Sequence, residues 1–217
     1  MADILKFTET PLIEKSIEEY EYHEYDPITG TIINNDGDIS ISIESQDVFT
    51  HPCESYLIFE GSFSKADGAA YENADEVAVM NIAIVHLSSR IEYHLSNLFI
   101  ESLSYPGQAT TMFGLLKYPD DFSKAQGFIQ LWYKDTVTTA AKADNNGFAA
   151  YLIPSQIVKG TFSFRIPLKN IFGFCEDYDK IVYGLKYSVT LLMKTDDDAI
   201  FRAAAADAGK VSLDKIS

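Results

Sequence analysis

Apolar and polar residues alternate along this chain in short runs, and a period of two fits strands with one covered face. The strictest run is Ile39-Ser40-Ile41-Ser42-Ile43. The most informative stretch is Ser89 to Asp135. It opens as two alternating runs, Arg90–Ser96 and Leu98–Ser104, joined at Ser96–Asn97. Ile91, Tyr93 and Leu95 share one face of the first run, and Glu92, His94 and Ser96 the other. Tyr105-Pro106-Gly107 breaks the second run. A helical excursion then runs from Gln108 to Trp132, with one short helix around Thr111–Lys117. A second starts at Pro119-Asp120-Asp121, where proline and acids suit a helix N-terminus.

Other runs extend the same pattern. Tyr56–Phe63 is a strand whose continuous apolar start implies cover on both faces, and Lys65-Ala66-Asp67-Gly68 ends it as a turn. Asn73–Leu87 reads as a strand end followed by a short helix. Gly160–Ile166 alternates, Pro167 closes it, and Leu168–Phe174 makes a helical turn. Lys180–Lys194 reads as the longest strand, with Tyr183, Leu185, Tyr187, Val189 and Leu191 on one face. Ile200–Ala206 and Val211–Ile216 close the set. Asp26–Gly30, Asn34–Asp38 and Asp196–Asp198 read as turns, and Lys134–Asn146 as a long surface loop.

Many strands with helices confined to the connections predict an all-β fold. The expected architecture is an antiparallel two-sheet jelly-roll sandwich with short helices in the inter-strand loops. Residues 1–27 are read as an N-terminal arm and 28–217 as a single jelly-roll domain, with tyrosine-rich Ile13–Tyr25 a strand or an extended arm lying on another surface. The expected core includes Ile91, Tyr93, Leu95, Phe162, Phe164, Tyr187, Val189 and Leu191.

The formal charge of −15 repels phosphate, so neither nucleic acid nor an anionic membrane surface is an expected partner. Cys53 and Cys175 are the only cysteines, too few for a disulfide framework or a zinc ribbon, and read as two buried free thiols. The start Met1-Ala2-Asp3 lacks a basic and apolar leader, no run reaches membrane-span length, and an intracellular place is expected.

Catalytic chemistry has no positive signal. No Gly-x-Ser-x-Gly elbow surrounds any serine. Aligning Gly37 with the glycine of a calcium loop puts Ile32 and Ile43 where carboxylates are essential. Asp196–Asp198 reads as a solvated turn rather than a cation site. His23, His51, His86 and His94 are scattered along the sequence and read as structural. No catalytic residue, metal ligand or cofactor site is therefore expected.

Two segments resemble a known family. Leu87–Glu101 (LSSRIEYHLSNLFIE) resembles the hairpin in the N-terminal jelly roll of double-jelly-roll major capsid proteins. Ile166–Thr195 (IPLKNIFGFCEDYDKIVYGLKYSVTLLMKT) resembles the turn and long strand of the same proteins. Between them, Ser104–Asp135 resembles the versions carried by Polinton (Maverick) elements and the related adintoviruses. The resemblance runs from about Pro11 to Ser217. It implies a structural, capsid-like subunit and not an enzyme. It covers the first jelly roll of the tandem pair alone, which implies either a piece of a longer chain or a host-captured, truncated gene product. Two other classes remain: an adopted jelly-roll module binding a protein, glycan or small molecule, and, last, a cupin-type enzyme, whose histidine spacing is absent here.

In the resembling proteins jelly rolls pack side by side, so a homo-oligomer is expected, a trimer or a larger ring, with other capsid proteins as further partners and a capsid-like particle as the assembled form. Aromatics concentrate at interface cores. Tyr20, Tyr22 and Tyr25, with Phe113, Leu116, Tyr118 and Trp132 of the excursion, are the expected assembly residues.

Overall fold

A computed structural model describes residues 19–28, 37–44, 47–71, 77–132, 161–194, 199–202 and 209–217. The arm before residue 19, most of the Asn34–Asp38 turn, the Lys134–Asn146 loop and the Asp196–Asp198 turn lie outside the described residues.

The strands are β1 (Asp38–Ile43), β2 (Phe49–Thr50), β3 (Tyr56–Lys65), β4 (Val77–Val79), β5 (Ser88–Leu95), β6 (Leu98–Ser104), β7 (Thr161–Pro167), β8 (Val182–Tyr183), β9 (Tyr187–Met193), β10 (Ile200–Arg202) and β11 (Gly209–Ile216). The helices α1 (Pro106–Lys117), α2 (Gln126–Ile129) and α3 (Gly173–Asp177) fall between strands. A four-stranded sheet has the order β1-β9-β5-β6, and a three-stranded sheet the order β11-β3-β7. There are also two ribbons, β10-β4 and β2-β8, and among the described residues every pairing is antiparallel. The fold is mostly β with few short helices, as in a jelly-roll domain.

Strand register builds the core in rows. Ile39 faces Leu191, which faces Ile91, and Ile41 faces Val189, which faces Tyr93. All six side chains are buried. In the other sheet Ile216, Phe59 and Phe164 form the equivalent row. Phe162 and Phe164 stack with centroids 4.9 Å apart, and Phe63 lies 4.6 Å from Phe162. The inward faces of both sheets share one apolar cluster. Burial of each large apolar side chain contributes about 1.5–3 kcal/mol.

The β5–β6 hairpin turns at Ser96 (φ 47°) and Asn97 (φ 66°). Two successive positive φ values give the two-residue turn whose twist matches the flanking strands. Residues 73–76 lie outside the described residues; from 77 onward the Asn73–Leu87 segment is β4 followed by a 3-10 turn at Ala83–Leu87.

Three expectations need correction. Lys180–Lys194 is not one strand. Gly184 takes a positive φ of 66° and divides it into β8 and β9. Tyr183 turns outward onto Phe49, with ring centroids 4.8 Å apart, so only Tyr187, Val189 and Leu191 keep the buried face. Leu95 ends β5 and is only half-buried. Leu57 and Phe59 are buried whereas Tyr56 and Ile58 are half-buried, so one face of β3 is fully covered and the other is not.

Residues 19–27 have no strand pairing. They lie on the protein's own surface: Tyr22 packs against Tyr56 at 5.5 Å, and Arg165 sits 5.3 Å from the Tyr56 ring on the opposite strand. Glu24 pairs with Lys215, and Ser217 Oγ donates to Glu24 Oε1 at 2.7 Å. Lys215 and then Ser217 hold the Glu24 carboxyl below its usual range.

Phe164→Ala should lower stability by about 3–5 kcal/mol in denaturant unfolding; an unchanged midpoint would remove Phe164 from the core. The Glu24 contact should be present above the ordinary carboxylate range and be lost as pH falls through the lowered value. Hydrogen exchange of amides 20–26 at stepped pH reads this, and release already at neutral pH would contradict it.

Candidate functional site

The helical excursion starts from the edge strand β6. Tyr105, with φ of 50°, turns the chain, its N–H donating to Ser89 O at 2.8 Å. Pro106 occupies the first helical turn, where its missing N–H costs nothing. The inward residues of α1 are small: Pro106, Gly107, Thr110 and Gly114. A Cβ on Gly107 would lie 2.3 Å from the buried His86 ring, and one on Gly114 would lie 2.4 Å from Trp132. The helix backbone thus rests directly on two aromatic rings. His86 Nε2 also lies 3.4 Å from Thr111 Oγ1.

The bulky residues point the other way. Met112, Phe113, Leu115 and Leu116 are exposed, Phe113 at 64% and Leu116 at 88%. An ordinary surface helix buries its apolar stripe and shows its polar one. Here the large apolar side chains face outward. The same excursion also exposes Phe128 and Ile129. From Tyr105 to Leu116 no residue carries a charge; Lys117 ends the helix and pairs with Glu176 of α3.

The expected assembly residues divide accordingly. Phe113, Leu116, Tyr20 and Tyr22 are exposed. Tyr25 and Tyr118 are half-buried against the core. Trp132 is a correction: it is 3% exposed and forms the seat beneath Gly114, with Tyr118 edge-on at 5.1 Å. Its apolar surface is satisfied within this chain. The structure does not bring Tyr20 and Tyr22 into contact with α1; Tyr22 lies against β3.

A second constellation was not legible as a site in the sequence. His51 follows β2, and Cys53 lies in the 3-10 turn Pro52–Glu54. Asp179 lies between α3 and β8. His51 Nε2 is 2.9 Å from Asp179 Oδ1, Cys53 Sγ is 3.3 Å from His51 Nε2, and the Cys53 thiol donates to Asp179 Oδ1 at 3.3 Å. Burial, reinforced by the Asp179 carboxylate, pushes the Cys53 thiol up to about 11. Hydrogen bonds from Cys53 and then His51 hold the Asp179 carboxyl below its usual range. His51 and Cys53 stand two apart in the sequence, which is a weak ligand signal; Asp179 joins them only through the fold. The other cysteine, Cys175, is also free and buried; burial pushes its thiol up to about 12.

Residues 126–217 match the family described as Double jelly roll-like domain. No curated protein matches the chain. Among solved structures, PBCV-1 VP54, fitted into a reconstruction of the virophage Sputnik, is 13% identical with a TM-score of 0.46, over 91% of this chain and 44% of that one. The mavirus major capsid protein is 12% identical with a TM-score of 0.46, over 96% of this chain and 50% of that one. The chain therefore spans half or less of the length of these structures. No helix among the described residues is long and apolar enough to cross a membrane.

Gly114→Ala should force a methyl group into Trp132 and cost about 1–3 kcal/mol in thermal or denaturant unfolding. A neutral Gly114→Ala would mean that α1 does not rest on Trp132.

Proposed function

We propose that this protein is a structural, capsid-like subunit whose role is self-association and not turnover. The observation that carries this reading is the outward apolar face of α1. Four large side chains stand in water on a helix whose core side is made of glycine, threonine and proline. Exposed apolar surface of this kind marks a place of association. The occupant we assign is a second copy of the same chain. A net charge of −15 opposes close approach of copies, and residues 105–116 carry no charge that would add to it. Closed cyclic symmetry is the usual way for identical copies to cover such a surface. The proposed assembly is a trimer or a larger ring, strengthened by salt as the like charges are screened.

The resemblance of Leu87–Glu101 and Ile166–Thr195 to double-jelly-roll major capsid proteins, and of Ser104–Asp135 to the Polinton versions, supports a finer reading. In it, residues 28–217 correspond to the N-terminal jelly roll of a tandem pair, and residues 1–27 form an arm. The assembled form would be a capsid-like particle or ring inside the cell. Tyr20 and Tyr22 are proposed as an accessory contact, since both are exposed beside β3.

Light scattering at low and high salt tests the assembly. The wild-type protein should gain mass with concentration and with salt. Phe113→Glu combined with Leu116→Glu should leave a monomer at concentrations where the wild type associates. Its melting temperature should change little, because both side chains are exposed. A strict monomer for the wild type at high concentration in both salts would defeat this reading and favour a binding module for another molecule.

A further inference from the structure

Self-association gives no task to the buried thiol of Cys53 or to the two groups that converge on it. We propose that His51, Cys53 and Asp179 form a binding site for one divalent transition-metal ion of the zinc class, with a fourth coordination position open to water. Nitrogen, sulfur and oxygen ligand atoms lie within 4.8 Å of one another. Calcium and magnesium take oxygen ligands, whereas zinc accepts this mixed set.

The distances fit such an ion. Ordinary zinc bond lengths in a tetrahedron put neighbouring ligand atoms about 3.3 to 3.6 Å apart. The three separations here are 2.9, 3.3 and 3.3 Å. Each atom need move only by a few tenths of an ångström, and Asp179, on an exposed connection, can give way most easily. Cys53 is 7% exposed and His51 half-buried, so the sulfur and nitrogen ligands are held by packing. Pro52 between them fixes the backbone, and Glu54 N–H donates to His51 O at 3.2 Å.

Charge and topology agree with this. Once Cys53 gives its thiol proton to solvent, the thiolate and the Asp179 carboxylate together balance a divalent ion. Glu54 Oε1, 4.0 Å from the sulfur, adds negative field. Lys169 Nζ lies 3.9 Å from the same Glu54 oxygen, and its positive charge, which also reaches Cys53 and Asp179, offsets part of that field. The ligands are 126 positions apart in sequence, and they flank the ribbon β2-β8, which has two residue pairs only. A ribbon so short has little stability of its own. The metal would tie its two incoming connections together.

The test titrates metal-free full-length protein with cobalt(II) and with zinc. Saturation at one equivalent per chain is expected, with a thiolate-to-cobalt charge-transfer band that Cys53→Ser abolishes. His51→Ala and Asp179→Asn should each weaken zinc binding more than about a hundredfold, beyond the roughly 10–100-fold loss seen when only an outer-shell partner is removed. Cys175→Ser should leave the band unchanged. Zinc at a hundredfold excess over its Kd should raise the wild-type melting temperature by roughly 5–10 °C. Asp179→Asn alters an exposed residue, so its circular dichroism spectrum should match the wild type. No saturable binding by the wild type, a band that survives Cys53→Ser, or zinc affinity indifferent to both His51→Ala and Asp179→Asn would each overturn the proposal. None of these outcomes depends on whether the protein associates, so the assembly reading stands or falls separately.

Discussion

The pairing of β5 with β9 is the constraint on which the rest of the structure depends. Ile91 opposite Leu191 and Tyr93 opposite Val189 place four buried side chains in adjacent rows, which β1 extends through Ile39 and Ile41. A slip of one residue would turn every one of these side chains to the opposite face. The pairing also fixes where β5 ends, hence where the Ser96–Asn97 turn sits and where β6 delivers the chain to Tyr105. The position of α1 is a downstream consequence of that register.

Much of this is legible in the sequence. Ile39–Ile43 and Thr161–Ile166 alternate because one side meets the core and the other does not, and period two records that directly. The hairpin at Ser96–Asn97 and the break at Tyr105-Pro106-Gly107 were readable because turn residues have their own chemistry. The division of Lys180–Lys194 was not. Its apolar alternation continues through Tyr183 and Leu185, and only the backbone shows that Gly184 bends away and that β8 pairs with β2.

The candidate sites were legible in different degrees. Aromatic richness pointed to the excursion, and Phe113 and Leu116 do stand outside. The same reasoning placed Trp132 beside them, because composition cannot tell an aromatic that fills a glycine seat from one that faces water. Gly114, eighteen positions earlier by number, makes that seat, and no local pattern links the two. His51, Cys53 and Asp179 pose the same difficulty more sharply. A histidine count along the chain could not reveal a trio that closes across β2 and β8.

The glycine contacts beneath α1 have a mechanical consequence. With no side chain between helix backbone and rings at Gly107 and Gly114, there is no soft layer to compress and no rotamer to change. The helix has one seating height and one rotation about its axis. The backbone that carries the outer apolar groups is therefore fixed in place, while the exposed side chains themselves still change rotamer. A surface prepared in this way loses less conformational freedom on contact than a loop carrying the same residues.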